Sequence, residues 1–261
     1  MTNRRSGPVE ATSEESLPGG NAASRVIRVG GTVRKPWFYG ASGVLEFMRV
    51  VRERGVDVPL PLGRDSEGRM VTEFVDGVLA IDGPPLTHTQ LARVGTMVRD
   101  IHDASEGLDA DEVGLAPALV PVPKPDLVCH GDLTPWNLVL GERWVFIDWD
   151  GAAASTRLWD LAYSAQAFTL NNASTDPNVA AQSLRTFVDG YQADEEIRSA
   201  LPRILVKRTW AMHEMLREAH RDGVEPWGTM YKEGHGEHWR ATAEYVEQWE
   251  EVWREAIQVR R

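Results

Sequence analysis

The chain has 261 residues, 42% of them apolar, and a formal net charge of −11. This length can bury one large core or two lobes that share a cleft, and the composition excludes a wholly disordered protein. No long apolar run occurs and no apolar segment follows the basic N-terminus, so we expect neither a membrane span nor a signal peptide.

Cys129 is the single cysteine of the sequence. It excludes an internal disulfide and is typical of a reducing compartment, so we expect a cytoplasmic protein. Because Cys129 stands in an apolar run, we interpret it as a buried packing residue.

The negative charge is concentrated in the middle of the chain, where residues 72–176 carry 5 basic and 16 acidic side chains. Such a field repels nucleic acid and attracts cations. It predicts no nucleic-acid partner and favours cationic ligands, although solubility alone also explains an acidic surface.

The N-terminal part has the pattern of a small sheet with one helix. Residues 1–14 are polar without periodicity and predict a disordered tail. Residues 25–29 and 32–35 predict two strands joined by the turn Gly30-Gly31. Residues 43–54 have the apolar spacing of a helix, and residues 70–77 predict a further strand with a connection beyond it.

A stretch of small residues precedes the first strand and includes Gly19, Gly20, Asn21 and Ser24. Small residues allow backbone N–H groups to approach a phosphate closely. A Gly-Gly-Asn sequence alone is also typical of a plain turn.

The C-terminal part is predicted to be mainly helical. A capping box at Thr87–Gln90 begins a helix whose apolar stripe ends at Ile101. Helical spacing recurs over residues 179–191, 197–220 and 238–257.

The segment between these parts carries the chemistry. An apolar run ends in His130-Gly131-Asp132, Asn137 follows five residues after the aspartate, and a second apolar run ends in Asp148. A hairpin of residues 138–140 and 144–147 would bring Asn137 and Asp148 to the same end of two paired strands.

These residue types suit phosphoryl transfer. The reaction needs a positioned acceptor and cations that screen the phosphate oxygens. Asp132 is our candidate for the carboxylate that orients a hydroxyl and takes its proton. Asn137 and Asp148 supply the oxygen ligands that Mg²⁺ prefers. Either motif alone could be a turn or a strand end, and only their joint order favours function.

The pattern resembles a known family in three places: His130-Gly131-Asp132-x4-Asn137, then Ile147-Asp148-Trp149-Asp150, then Leu158-Trp159-Asp160-Leu161-Ala162. It is similar to the aminoglycoside phosphotransferase and choline kinase-like family, relatives of the protein kinases, with Gly131 in place of the arginine in H-R-D. The resemblance implies an α+β, protein-kinase-like two-lobe fold. The nucleotide-binding, β-rich N-lobe would span residues 15–76, and the larger, mainly helical C-lobe with the catalytic loop and acceptor-binding helices would span residues 77–261.

The resemblance also implies a nucleotide site. The loop of Gly19, Gly20, Asn21 and Ser24 would lie over the nucleotide. A cation on the third strand would contact its phosphates, and backbone groups from Glu73 to Val75 would hold the base, which leaves ATP and GTP both open.

Arg34 and Lys35 compete for the phosphate-binding position, because strand alternation sends them to opposite faces. The family pattern favours Arg34. Glu46 is a candidate ion-pair partner for this cation, although it stands about two positions from the family's usual glutamate.

Three further residues of the motifs receive roles by resemblance. His130 would pack under the loop, and Asp160 would be a buried aspartate that holds the loop by hydrogen bonds. Asp150 would either contact metal or satisfy loop backbone.

The resemblance implies an Mg²⁺-dependent phosphotransferase with an alcohol group as acceptor. We expect transfer of the γ-phosphate of ATP or GTP to a hydroxyl of an aminoglycoside-like cationic acceptor, and hence a role in antibiotic resistance. Glu214, Glu218 and Glu237 are candidate contacts for the cation.

Other functions stay open. Choline, an amino alcohol or a sugar could be the acceptor of a metabolic kinase. A catalytically silent pseudokinase and a metal-dependent hydrolase are rivals from other classes, and a monomer and a homodimer are equally compatible with the sequence.

Overall fold

The computed structural model describes residues 14–17 and 26–258. In this part of the chain, a five-stranded antiparallel sheet precedes a larger, mainly helical portion. The arrangement is the one expected from the sequence, a small β-rich lobe followed by a helical lobe.

The N-terminal sheet has the strand order β1-β2-β3-β5-β4. Its strands are β1 (Glu14–Ser16), β2 (Ile27–Val29), β3 (Thr32–Lys35), β4 (Pro61–Arg64) and β5 (Met70–Glu73). Val29 pairs with Thr32, so Gly30 and Gly31 form the predicted two-residue turn. Strand β3 lies between β2 and β5. As in any strand, its successive side chains alternate between the two faces of the sheet.

Helix α1 (Ala41–Glu53) packs against this sheet. It is the helix predicted over residues 43–54, with bounds shifted by one or two residues. Its buried face includes Val44, Phe47 and Val51. The Phe47 ring lies 5.4 Å from the ring of Trp149, centroid to centroid. This contact joins α1 to the loop that carries Asp148.

Two small sheets support the predicted catalytic segment. Strand β6 (Val78–Leu79) pairs with β8 (Leu138–Leu140), which pairs with β9 (Trp144–Phe146). The predicted hairpin is therefore confirmed, with Ile147 just beyond its second strand. Strand β7 (Leu127–Cys129) pairs with β10 (Ala153–Ser155) and is buried, Cys129 included.

The helical portion contains α2 (His88–Ala104), α3 (Ala110–Val113), α4 (Arg157–Thr169), α5 (Pro177–Gly190), α6 (Glu195–Asp222), α7 (Trp227–Met230), a π-helical turn (Tyr231–His235), α8 (Gly236–Gln248) and α9 (Glu250–Ile257). The capping box of Thr87 and Gln90 at the start of α2 is confirmed. Val94, Val98 and Ile101 of α2 are buried, and each contributes about 1.5–3 kcal/mol by leaving water.

The prediction of one helix over residues 238–257 is wrong. The chain leaves helical geometry at Trp249, between α8 and α9. The break lets the buried Trp253 donate from Nε1 to the carbonyl of Val246, 2.9 Å away. The apolar spacing continues across the break, which is why the sequence pattern did not reveal it.

The predicted tail lies outside the described residues except for Glu14, which begins β1. The predicted lobe boundary after residue 76 falls between β5 and β6 and stays a prediction. None of the helices in the described ranges combines the length and hydropathy of a membrane span.

Candidate active site

The catalytic segment turns sharply where it leaves β7. Gly131 has φ +82°, and a Cβ atom there would lie 2.5 Å from the carbonyl oxygen of Gly151. A side chain at this position would need both a left-handed backbone and a displaced neighbouring loop. The close approach of two loops therefore requires glycine between His130 and Asp132.

His130 fixes the loop from below. It is fully buried, and burial lowers its pKa to about 4, so the ring is neutral at physiological pH. Nδ1 accepts the backbone N–H of Asp132 at 3.2 Å, and Nε2 donates to the carbonyl of Ile147 at 3.2 Å. One ring thus ties the Asp132 loop to the strand end that leads to Asp148.

Asp160 of α4 holds the same loop from the helical side. It is only 3% exposed, and Oδ1 accepts the backbone N–H of Gly131 at 3.1 Å. Its Oδ2 lies 3.0 Å from Nε2 of His102, whose Nδ1 lies 2.8 Å from the hydroxyl of Tyr191. The predicted role of Asp160 as a buried support of the loop is confirmed.

Asp132 projects from this supported loop. Its Oδ2 accepts from Nδ2 of Asn137 at 2.7 Å and from Nε1 of Trp136 at 3.3 Å. Burial, together with the charge of Asp148, raises its pKa to about 6. Its Oδ1 is buried and has no hydrogen-bond partner among the described residues. One oxygen is therefore oriented, and the other is left for a ligand.

Asn137 uses one end of its amide to orient Asp132. Nδ2 donates to both the side chain and the backbone carbonyl of Asp132, at 2.7 and 3.1 Å. Its own carbonyl accepts the N–H of Ile147 at 2.8 Å, which aligns it with the segment entering Asp148. The side-chain Oδ1 is the atom of Asn137 left to meet a cation.

Asp148 and Asp150 converge on Lys35 of β3. The ammonium lies 2.6 Å from Oδ1 of Asp148 and 3.0 Å from Oδ2 of Asp150. Burial alone would lower the pKa of Lys35, but the two carboxylates raise it. Burial alone would raise the pKa of Asp148, but the ammonium lowers it, so this pair is ionised.

Asp150 differs from Asp148. Burial and the charge of Asp148 raise its pKa, against the opposing effect of Lys35. Its Oδ1 is buried and has no hydrogen-bond partner among the described residues.

The preference for Arg34 over Lys35 is corrected. Arg34 lies on the opposite face of β3 and pairs with Asp65, 3.3 Å away. Lys35 lines the cleft between the N-terminal sheet and the Asp148 loop. Strand alternation allows only one of the two cations to face this cleft, and the structure places Lys35 there.

The candidate pairing of Glu46 with the strand cation is also wrong. Glu46 is exposed on α1, and its carboxylate pairs with Arg49 one turn further on. The carboxylates that meet Lys35 come from Asp148 and Asp150 instead. The shift of Glu46 by about two positions from the family's usual glutamate agrees with its failure to pair with Lys35.

The predicted hinge lines the same cleft with Glu73, Phe74 and Val75. The N–H of Glu73 donates to Leu60 and the N–H of Phe74 to Gly31. Within the described ranges the N–H of Val75 has no partner, so it is the hinge donor left for a ligand. The predicted phosphate loop, with Gly19, Gly20, Asn21 and Ser24, lies outside the described residues.

None of the candidate acidic contacts for an acceptor bonds to the Asp132 loop among the described residues. Glu214 pairs with Arg217, and Glu218 and Glu237 are exposed. Two residues that the sequence did not single out act on Asp132 itself: Trp136, which donates to its carboxylate, and Arg208, whose charge lowers its pKa. Trp136 could have been found from its place inside the motif, whereas Arg208 resembles any other charge on a long helix.

Comparison with known proteins agrees with this geometry. The sequence model described as the phosphotransferase enzyme family matches residues 105–201, which include the loop of Asp132 and the Asp148 segment. The predicted family resemblance is confirmed. No curated protein matches the sequence at a comparable level.

Solved structures of the same fold cover most of the chain. A choline/ethanolamine kinase family protein from Mesorhizobium loti is 17% identical, with a TM-score of 0.59, and the alignment covers 95% of this chain and 94% of that one. Amicoumacin kinase hAmiN, solved with AMP-PNP, Ca²⁺ and Ami, is 14% identical, with a TM-score of 0.65 and coverages of 90% and 88%. A microcompartment-associated aminopropanol kinase is 13% identical, with a TM-score of 0.60 and coverages of 91% and 92%.

At these identities the structures establish the fold, and the predicted protein-kinase-like two-lobe fold is confirmed. The match to the phosphotransferase family over the catalytic segment supports the predicted reaction class, a phosphotransferase.

Proposed function

We propose that this protein is a small-molecule kinase that uses Mg²⁺ to transfer the γ-phosphoryl group of ATP or GTP to a hydroxyl group. The observation that carries the proposal is the convergence of Asp132, Asn137, Asp148 and Lys35 around one loop and one cleft. Phosphoryl transfer needs a positioned acceptor and cations around the phosphates. Asp132 would orient the acceptor, Lys35 would supply one positive charge, and Asn137 and Asp148 would hold the metal that supplies the rest.

Asp132 is the proposed base. Its Oδ2 is fixed by Asn137 and Trp136, and its Oδ1 is free to accept the proton of a hydroxyl group. A pKa of about 6 leaves the carboxylate ionised at pH 7 to 8 while making it a better proton acceptor than an exposed aspartate. We propose that transfer is direct, because none of the described residues at the site is placed to form a phosphoenzyme.

The nucleotide would occupy the cleft lined by Lys35 and the hinge. Val75 offers a backbone N–H to the base, and the ammonium of Lys35 offers charge to the phosphates. The loop of Gly19, Gly20, Asn21 and Ser24 is proposed to cover the phosphates. The apolar lining, including Met48, Met70 and Leu79, suits a flat base.

The oxygen donors present fit a magnesium ion. Asp148 supplies an ionised carboxylate, Asn137 a free amide oxygen and Asp150 a buried carboxylate oxygen without a partner. Hard oxygen ligands of this kind are those that Mg²⁺ selects. When bound, the metal would neutralise charge on the phosphate oxygens.

For the acceptor, we propose an amine-bearing alcohol, with an aminoglycoside-like compound as the first candidate. The acidic middle of the chain supports a cationic molecule. Kinases named for choline or ethanolamine, aminopropanol and amicoumacin share the fold, which supports the same class. Choline, a simple amino alcohol or a sugar is the alternative, and antibiotic resistance follows only from the first candidate.

The rivals make different predictions. A pseudokinase would bind nucleotide without forming phosphorylated product, and a hydrolase would release phosphate without any acceptor. The presence of Asp132, Asn137 and Asp148 together supports a transfer reaction rather than a pseudokinase. The apolar cleft with a free hinge donor supports a nucleotide-binding enzyme rather than a hydrolase.

The test is release of ADP and GDP, with Mg²⁺, across aminoglycosides, choline-like amines, amino alcohols and sugars. We expect product with one acceptor class that depends on Asp132. Nucleotide binding without transfer to any acceptor would favour the pseudokinase, and acceptor-independent phosphate release would favour the hydrolase.

A further inference from the structure

Arg208 is a buried cation on α6. It is only 6% exposed, and its guanidinium lies 3.9 Å from the ring centroid of Tyr163 and 5.6 Å from that of Trp159. Its Nε and Nη1 atoms are buried and have no hydrogen-bond partner among the described residues. No ion pair of Arg208 is found in this part of the chain either.

Such an arrangement is costly in the free protein. A buried charge normally has both a counter-ion and hydrogen bonds, because the protein interior solvates it poorly. Burial accordingly lowers the pKa of Arg208. The face of Tyr163 compensates for part of this cost by a cation–π contact, but it leaves the N–H donors unused.

The neighbouring carboxylates do not hydrogen-bond to Arg208, although Oδ1 of Asp132 is itself without a partner among the described residues. Both oxygens of Asp160 accept from the loop and from His102, and Oδ2 of Asp132 accepts from Asn137 and Trp136. The charges of Asp132 and Asp160 act on Arg208 through space without a hydrogen bond to it. Its donors are therefore left for a group that the described residues do not provide.

Arg208 also lies near Asp132, whose charge acts on it. Tyr163, beneath the guanidinium, packs 6.5 Å from Trp136, ring centroid to ring centroid, and Trp136 donates to Asp132. Around them is a partly exposed apolar surface formed by Met215, Trp227, Met230 and Tyr231.

We infer that Arg208 binds a carboxylate on the acceptor molecule, so that the acceptor is a hydroxyl compound that carries an acidic group beside its amine. The inference rests on the proposed function and narrows its acceptor, from amine-bearing alcohols in general to those that also carry an acid, which aminoglycosides do not. The planar fork of a guanidinium matches a carboxylate with two parallel hydrogen bonds, and such charge-assisted bonds are strongest away from water. An amine on the same molecule remains compatible with the acidic surroundings.

The first test measures anion binding without any turnover. Melting temperatures are recorded in sodium acetate and in sodium chloride at equal ionic strength, for the wild type and Arg208→Gln. Arg217→Gln is the matched control, since Arg217 is an exposed arginine of the same helix paired with Glu214.

Acetate should raise the melting temperature of the wild type and of Arg217→Gln saturably, by about 3–6 °C at tenfold excess over its Kd. Arg208→Gln should show no difference between the two salts. Equal acetate shifts in all three proteins, or no acetate effect in the wild type, would overturn the inference.

A purely structural role is tested with Arg208→Met. If Arg208 only compensates the charges of Asp132 and Asp160, this variant should melt lower in chloride. We expect the same or a higher melting temperature, because an unpaired buried charge has been replaced by an apolar chain of similar length. Arg208→Lys should keep only part of the acetate response, because it lacks the fork.

The second test measures transfer. L-Homoserine is compared with its carboxamide, and ethanolamine and kanamycin serve as acceptors without an acid. The wild type should prefer the acid over the amide by about tenfold or more in kcat/KM, and this ratio should fall to about one in Arg208→Gln.

The two proposals fail differently. Transfer to ethanolamine or kanamycin without any use of the acid, or an acid-to-amide ratio that Arg208→Gln leaves unchanged, would overturn the role of Arg208 and keep the kinase. Absence of transfer to every acceptor would overturn the proposed function, and the acetate experiment would then decide on Arg208 alone.

Discussion

Nζ of Lys35 lies 2.6 Å from Oδ1 of Asp148, which is 113 residues further along the chain. The contact joins the central strand of the N-terminal sheet to the loop of the candidate metal site. Asp148 makes it from a left-handed backbone, with φ 61° and ψ 63°. A non-glycine residue in this region costs about 1–2 kcal/mol, and such strain is typical of functional sites.

Lys35 should be needed for nucleotide use and Arg34 should not. Lys35→Met removes the only one of these two cations that lines the cleft, so we expect kcat/KM for the nucleotide to fall by about 100-fold. Arg34→Met is the matched control on the other face of the strand and should stay within about twofold. Equal losses in steady-state assays of the two variants would contradict the assignment.

Activity should decline in mild acid. The reaction needs the ionised form of Asp132, whose pKa is raised by burial to about 6, so kcat/KM should rise with pH through about 6 and then level off. The control is circular dichroism over the same range, to separate titration from unfolding. A limb centred near 4 would show that Asp132 is not the titrating group.

The same raised pKa has a consequence for stability. The folded-state pKa of Asp132 exceeds its ordinary value of 3.8, so ionising this group costs more in the folded protein than in the unfolded one. This cost to the free energy of unfolding is fully present above about pH 6 and absent below about pH 4. Asp132→Asn should therefore melt no lower than the wild type at pH 8, and any gain should vanish as the pH falls below about 4. A variant that melts lower at pH 8 would contradict the burial argument.

Gly131 should tolerate no side chain. In Gly131→Ala, the Cβ atom would meet the carbonyl oxygen of Gly151 at 2.5 Å, and the backbone would be strained as well. We expect a loss of about 2–4 kcal/mol in the free energy of unfolding. Gly107→Ala has a similar positive φ and no atom within 4 Å of its Cβ, so it measures the backbone cost alone, about 1 kcal/mol. Chemical denaturation of both variants distinguishes the two contributions, and equal losses would show that the contact is unimportant.

Magnesium should stabilise the nucleotide complex through Asp148. With AMP-PNP present, Mg²⁺ should raise the melting temperature of the wild type, and EDTA should reverse the effect. Asp148→Asn should lose most of this response, whereas Asp111→Asn, at an exposed position, should keep it. A full response in Asp148→Asn would place the metal elsewhere.

The sequence predicted the fold and the catalytic loop well, because both depend on local order along the chain. Apolar runs before Gly131 and before Asp148 define strands β7 and β9, and the short loop from Asp132 to Asn137, which leads into β8, can have few conformations. Asp160 was assigned to the loop by its resemblance to the buried aspartate of the family.

The cations and their partners could not be predicted in the same way. Choosing between Arg34 and Lys35 needs the register of β3 against the cleft, and the two faces are equivalent in the local sequence. The pairing of Lys35 with Asp150 and the burial of Arg208 are long-range contacts, and nothing near these residues in the sequence marks them. Glu46 is the opposite case: its residue type suits an ion pair with Lys35, but it lies on the exposed face of α1 and pairs with Arg49.

The most direct test of the account is acceptor-dependent ADP or GDP release by the wild type and Asp132→Asn, with nucleotide binding measured in parallel. We predict product with one class of small hydroxyl acceptor, a loss of about 100-fold or more in the variant, and unchanged nucleotide affinity. Transfer that survives in Asp132→Asn, or nucleotide binding without transfer to any acceptor by the wild type, would contradict it.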